Sequence, residues 1–323
     1  MKNERNPVIY LQIQGACGNQ FFQYAFARVL QKKHGGRLII NYDGVAKNTS
    51  LWEGSVNALQ DFQVVDYELE LGTNRSNPHK LISWMLKRYE QIAHFRYRTK
   101  RYSKYLLWCA KHLEKYGVYY FGAQYYQFEG CRTDRILING YFESAQYFEE
   151  IDDLIKTELQ PKYPALSSNK ELLDIIDTRE SVCITIKRMD VEDESTAEAY
   201  QYDINYFYHA CDYIKGIYPD AVWIIFSDNI EWCKENFTPQ GDVYYETPNN
   251  PIWEKIRLMS SCKHFIIHNS TFSWWVQHLS KNKDKIVIAP TRWMIRDDQP
   301  IDIYEDSWVF MTNDGRLQNT YDR

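Results

Sequence analysis

Four clusters of polar residues sit where short apolar runs end. Thr185-Ile186-Lys187-Arg188-Met189-Asp190 puts two adjacent cations and a carboxylate after the run Val182–Ile186. Two cations at one strand end can clamp a phosphate, and a nearby acid can orient them, although a Lys-Arg pair is also a common surface feature. Phe226-Ser227-Asp228-Asn229 closes the run Val222–Phe226. Ser227 or Asp228 there either caps the next helix or hydrogen-bonds a nucleoside. His268-Asn269-Ser270-Thr271-Phe272-Ser273-Trp274-Trp275 offers side-chain oxygens and helix-start N–H groups together. That suits a diphosphate or, more plainly, a helix cap with two tryptophans in the core. Gly15-Ala16-Cys17-Gly18-Asn19-Gln20 follows Val8–Gln14. Its glycines let the backbone approach a ligand before a helix begins, and a tight turn is the plainer alternative. The spacing is not G-x-G-x-x-G. In combination the four clusters point to a nucleotide held in an interdomain cleft. A Lys-Arg pair and a helix N-terminus can hold a diphosphate without a metal. Glu192-Asp193-Glu194 reads as an acidic loop, because no His or further acid is spaced to complete a metal shell.

The elements that must position these clusters alternate between strand and helix. Val182–Ile186, Val222–Phe226, Asp242–Tyr245, His264–Ile267 and a final Lys285–Ala289 read as strands. Helical stretches at Asn205–Lys215, Ile230–Asn236, Trp253–Ser261 and Phe272–Leu279 separate them. The N-terminal half opens with strand Val8–Gln14, helix Gln20–Lys33 and strand Arg37–Tyr42, and later carries strand Ile136–Asn139 and one helix, Ala145–Leu159. Short, fully apolar strands alternating with helices make an α/β protein with parallel sheets covered on both faces. Pro161 to Asn169 has linker chemistry, which divides the chain into domains 1–160 and 161–323.

The chain has 323 residues, 44% of them apolar, which excludes a disordered polymer. A net charge of -5 gives no support for nucleic-acid binding. That total hides a split. Between Arg75 and Lys115 eleven lysines and arginines face only Glu90 and Glu114, interleaved with Trp84, Tyr89, Tyr102, Tyr105 and Trp108. A basic aromatic helical insert at about 75–128 could meet an anionic membrane or acceptor, and a solvated face with a buried aromatic stripe is the plainer reading. The 26 tyrosines suit sugars, interfaces or an ordinary core equally. Seven scattered cysteines without C-x-x-C spacing read as free thiols in a reducing cytosol. The sequons at Asn48, Asn74, Asn236 and Asn269 read as chance matches. No apolar run approaches the roughly 18 residues of a membrane helix, and Met1–Pro7 has no signal-peptide core.

Gly15-x-x-Gly18-Asn19-Gln20-x-Phe22-Gln23-Tyr24-Ala25-x-Ala27-Arg28 resembles the opening motif of glycosyltransferase family 11, the bacterial α-1,2-fucosyltransferases. Gly140-Tyr141-Phe142-x-Ser144-x-x-Tyr147-Phe148, Phe226-Ser227-Asp228, Asn269 to Trp275 and Pro290-x-x-Trp293 are similar to its later motifs. The family's basic motif reads His-x-Arg-Arg-x-Asp, and here it reads Thr185-x-Lys187-Arg188-x-Asp190. The resemblance implies the GT-B arrangement: two facing Rossmann-like domains with an interdomain cleft, the N-terminal one mainly for the acceptor and the C-terminal one for GDP. It implies an inverting transfer of L-fucose from GDP-fucose to a galactose-containing glycan, lipid-linked acceptors included, with no cofactor and no required metal. It implies catalytic roles for Lys187, Arg188 and Asp190. Donor contacts fall to Gly15, Gly18, Asn19, Gln20, Ser227, Asp228, Asn269, Ser270, Thr271 and Ser273. Cytoplasmic work, at the inner face of the membrane, is the expected setting. The alternatives are transfer of another nucleotide sugar, or GDP-sugar binding without turnover.

Overall fold

The computed structural model describes residues 7–46, 57–72, 75–92, 100–188, 203–293 and 301–319. Asp190, Glu192-Asp193-Glu194, the sequons at Asn48 and Asn74, and residues 93–99 of the basic segment lie outside the described residues. The chain divides into two units, Met1–Leu159 with Asp297–Ile303, and Gln160–Arg296 with Tyr304–Arg323.

In the first unit β1 (Val8–Gln12), β2 (Arg37–Asn41), β3 (Tyr67–Glu70), β4 (Val118–Phe121) and β5 (Arg135–Gly140) form one sheet in the order β3-β2-β1-β5-β4. Every pairing is parallel. The middle of β1 and all of β4 are buried, as expected for strands covered on both faces. The helix Cys17–His34 follows β1 and buries most of its length. Its Phe26 stacks on Phe142 with ring centroids 4.1 Å apart. Phe142 adopts a left-handed φ of 52°, a conformation that ordinarily costs about 1–2 kcal/mol and is offset here by complete burial of the ring. Two sequence expectations change. The segment 75–128 is not purely a helical insert, because its end is β4, an edge strand of the sheet. Aromatic residues at 118–121 hid a strand inside a helical pattern. Ala145–Leu159 is not one helix but two 3₁₀ turns and the helix Asp152–Glu158. Tyr147 accepts from the Tyr126 N–H and donates to the Gln124 carbonyl, both at 2.9 Å, and Phe148 beside it is also buried. Burying both adjacent rings breaks the helical repeat.

In the second unit β6 (Glu180–Ile186), β7 (Ala221–Ser227), β8 (Val243–Tyr245), β9 (His264–Ile266), β10 (Val287–Pro290), β11 (Val309–Met311) and β12 (Leu317–Gln318) form the order β12-β11-β10-β9-β6-β7-β8. The chain winds outward through β6, β7 and β8, then returns to β9 on the other side of β6. That is the doubly wound Rossmann order, with its switch point between β6 and β9. All pairings are parallel except β11 with β12. The strand expected to be final is therefore followed by two more. The 161–169 stretch is held by this unit. Leu166 N–H and the Asn169 amide donate to the buried carboxylate of Glu254 at 2.9 and 3.0 Å.

Candidate active site

The switch point of the second sheet gathers three of the four polar clusters. Lys187 and Arg188 leave the carboxyl end of β6, Ser227 and Asp228 that of β7, and Asn269 to Thr271 follow β9. Since β6 pairs with both β7 and β9, the three ends are neighbours.

Local bonds hold these ends in place. The last β6–β7 pair is Ile186 with Ser227, so Lys187 comes level with Asp228. The Asp228 carboxylate accepts the Arg188 backbone N–H at 2.7 Å. The Arg188 guanidinium lies 3.8 Å from the ring centroid of Trp232, on the helix Ile230–Asn236, a cation–π stack. Its buried Nε has no hydrogen-bond partner among the described residues. Asn229, rather than Ser227 or Asp228, caps that helix, by accepting the Trp232 N–H at 2.9 Å. Ser227 Oγ accepts the Asn229 N–H at 3.0 Å.

Across the switch, ladder pairing of β6 with β9 stops at Ile184 and Ile266. Thr185 extends it by one rung, its Oγ1 accepting the His268 N–H at 2.9 Å. This residue opens the basic segment Thr185 to Arg188. It is 5% exposed and committed to the strand end. Tyr206, from the helix Ile204–Ile217, donates to the carbonyls of Ile267 and Ile288 at 2.9 and 3.1 Å. It thereby ties the end of β9 to the middle of β10.

The electrostatics follow from burial. Burial pushes Lys187 down to about 8, with Asp228 opposing the shift. Burial and the charges of Lys187 and Arg188 push His268 down to about 3, so its ring is neutral near pH 7. Positive charge at the switch point thus rests on Lys187 and Arg188. The helix Thr271–His278 begins at Ser270, which makes no side-chain capping bond. Its N-terminal end offers backbone N–H groups beside those cations, an arrangement suited to an anion.

Several of the residues expected to contact the donor are also bound into the packing. Asn269 is fully buried and its amide donates to the Trp293 carbonyl at 2.6 Å, joining two of the sequence motifs. Ser273 is 3% exposed, and Trp274 and Trp275 are core. Gly15, Gly18, Asn19 and Gln20 lie in the first unit, after β1. Gly15 has φ +76°, and a Cβ there would run into the Asn19 side chain. Gln20 is fully buried, donates to the Gly15 carbonyl at 3.1 Å and accepts the Ala58 N–H at 3.0 Å, so it shapes the turn. Gln23 clasps both backbone groups of Gln14 at 2.9 and 2.8 Å. Sequence reasoning missed Trp232 and Tyr206. Trp232 lies four residues past Asp228, at a helix start, and that was the available signal.

A depression of about 560 Å³ bordered by Arg28, Arg37 and Glu68 lies at the amino ends of β2 and β3, away from these residues. Among the described residues no group of three His, Cys, Asp or Glu is arranged to hold a metal ion. All seven cysteines are free and buried. No described helix is long and apolar enough to cross a membrane.

A doubly wound sheet with paired cations at its switch point defines the class of Rossmann-type α/β proteins that bind anionic ligands at strand ends. More particularly, the chain belongs to glycosyl transferase family 11, whose sequence profile matches residues 8–312, and it is a glycosyltransferase. It is 27% identical to the alpha-1,2-colitosyltransferase of Escherichia coli, over 94% of this chain and 98% of that protein. It is 26% identical to the O-antigen biosynthesis glycosyltransferase WbnK of Escherichia coli, over 93% of this chain and 99% of that protein. The crystal structure of the fucosyltransferase NodZ from Bradyrhizobium is similar at a TM-score of 0.48 and 13% identity, covering 85% of this chain and 93% of that one.

Proposed function

We propose that the protein transfers L-fucose from GDP-fucose to a hydroxyl of a galactose-containing glycan, the galactose 2-OH, with inversion at the sugar carbon. The observation that carries this reading is the switch point. Lys187 and Arg188 sit there beside the N-terminal end of Thr271–His278, where Ser270 makes no side-chain capping bond. Such a site suits a nucleoside diphosphate, the leaving group of the reaction. The acceptor oxygen bonds to C1 of the fucose as the C1–O bond to the diphosphate breaks, and the electron pair leaves with the diphosphate. The hydroxyl proton passes to solvent. Lys187, Arg188 and the Ser270–Thr271 backbone stabilise the charge that grows on the leaving oxygens. Asp228 holds the backbone of Arg188 and balances Lys187. Asp190 is assigned to orienting the cations. No metal is assigned a role. Gly15 and Asn19 of the first unit are assigned to the donor sugar or diphosphate.

The test is turnover and GDP binding by Lys187→Ala and Arg188→Ala. A fall in turnover of roughly 100- to 1000-fold is expected for Arg188→Ala. Full activity in both variants would sink the clamp. The relative named as a colitosyltransferase favours one second reading, a different nucleotide sugar as donor. Assaying several labelled nucleotide sugars in parallel separates the two. GDP binding in calorimetry with no turnover on any donor would instead mark a binding protein.

A further inference from the structure

Two helices of the first unit carry an apolar and basic surface to which the proposed chemistry assigns no role. On Lys80–Ile92, Ser83 and Leu86 are buried. Glu90, on the same side, accepts hydrogen bonds from Tyr102 at 3.0 Å and from Tyr120. At 100° per residue the opposite side is the line Leu81, Met85, Arg88, Ile92. Its apolar members face outward, with Leu81 69%, Met85 55% and Ile92 76% exposed, and Trp84 beside them at 59%. An apolar helix stripe normally turns to the core, and this one turns away from it. The next helix, Lys100–Leu113, buries Leu106, Cys109 and Ala110 and exposes Leu107 and Trp108 among Arg101, Lys104 and Lys111. The two helices touch through Tyr89 and Tyr105, whose ring centroids are 4.8 Å apart.

Charge selects the occupant. The two helices hold seven lysines and arginines and a single acid, Glu90, which is turned inward. A second copy docking on the same stripe would set these cations against their equivalents. An acidic bilayer matches both features, with an apolar boundary for the stripe and anionic headgroups for the cations. Trp84 and Trp108 suit the headgroup level. We propose that this face docks on an anionic lipid bilayer, Leu81, Met85 and Ile92 entering the headgroup–acyl boundary and the flanking cations meeting lipid phosphates.

The test is cosedimentation of the full chain with vesicles of phosphatidylcholine alone and of phosphatidylcholine mixed with phosphatidylglycerol. Binding to the mixed vesicles at least about tenfold tighter than to the neutral ones is expected, weakening at high salt. Lys87→Glu/Arg88→Glu and, separately, Leu81→Ser/Ile92→Ser should each lower it by about tenfold or more. All four side chains are exposed, so an unchanged thermal transition shows that the variants are folded. Equal binding to both vesicle types, or none to either, overturns the proposal. So does a concentration-dependent dimer in sedimentation velocity that Leu81→Ser/Ile92→Ser abolishes, since the stripe would then be a contact between copies. The outcome does not depend on which donor is used.

Discussion

Lys187 keeps its charge in a place that opposes it. Its ordinary value of 10.5 is pushed down to about 8 by burial. Below pH 8 the cation is held in both folded and unfolded chains and its burial destabilises the fold in full. As pH rises from 8 towards 10.5 the folded chain loses the proton first and the penalty fades. Lys187→Met should therefore stabilise the protein by roughly 1–3 kcal/mol near pH 7, and the advantage should shrink above pH 8, as read from denaturation curves. Donor affinity should show the opposite dependence. GDP binding should weaken above pH 8 in the free protein, and Lys187→Arg should remove that alkaline limb in a titration series. Trp232 is a positioning residue for Arg188. Trp232→Ala should raise the donor KM about tenfold, with Trp232→Phe restoring most of it, because an aromatic face under the guanidinium is what the stack requires. A purely structural tryptophan would give matched losses of stability in both variants.

At the scale of elements, two buried connections hold the frame. Tyr206 reaches the carbonyl that follows β9 and the carbonyl of Ile288 within β10. Tyr206→Phe removes the phenol donor from the Ile267 carbonyl, while the Ile288 carbonyl keeps the Ile267 N–H at 2.9 Å, and it should cost about 1–3 kcal/mol, with hydrogen exchange accelerating first around β9 and β10. In the first unit Arg28 pairs with Glu158 through Nε at 2.9 Å and through a second, shorter bond, while Tyr24 donates to the same carboxylate at 2.6 Å. Both charges are about 4% exposed. Glu158→Gln leaves the buried arginine with only the exposed Asp66 carboxylate, 4.0 Å away, and should cost about 3–5 kcal/mol, measurable by urea titration. These connections were only partly legible in the sequence. Arg28 stood in a recognisable motif, but its partner lies 130 residues away. Nothing local distinguishes Glu158 from a surface acid.

At the scale of the whole molecule, each unit has its own sheet and core. Calorimetry should resolve two transitions. GDP should raise most the one belonging to the unit that carries Lys187 and Arg188, and Glu158→Gln should lower chiefly the other. The net charge of -5 also changes meaning. A strongly basic segment in the first unit is offset by acids spread over the rest of the chain. Part of that basic surface is an outward apolar stripe rather than the solvated face that composition alone would suggest.

The sequence by itself determined what is local. Apolar runs marked most strands, and polar clusters at their ends marked the switch point, because a parallel sheet buried on both faces needs the first and exposes the second. Tertiary structure decided which of those residues are buried in the packing. The sequence offered Asn269, Ser273 and Gln20 as donor contacts, and packing turned all three inward. It offered Ser227 or Asp228 as a cap, and Asn229 took that place. It placed Trp232 only near a helix start four residues past Asp228, and it gave no sign that Leu81 and Ile92 would point away from the core. Each of these depends on strand order and helix facing, which are set by contacts between residues far apart in the chain.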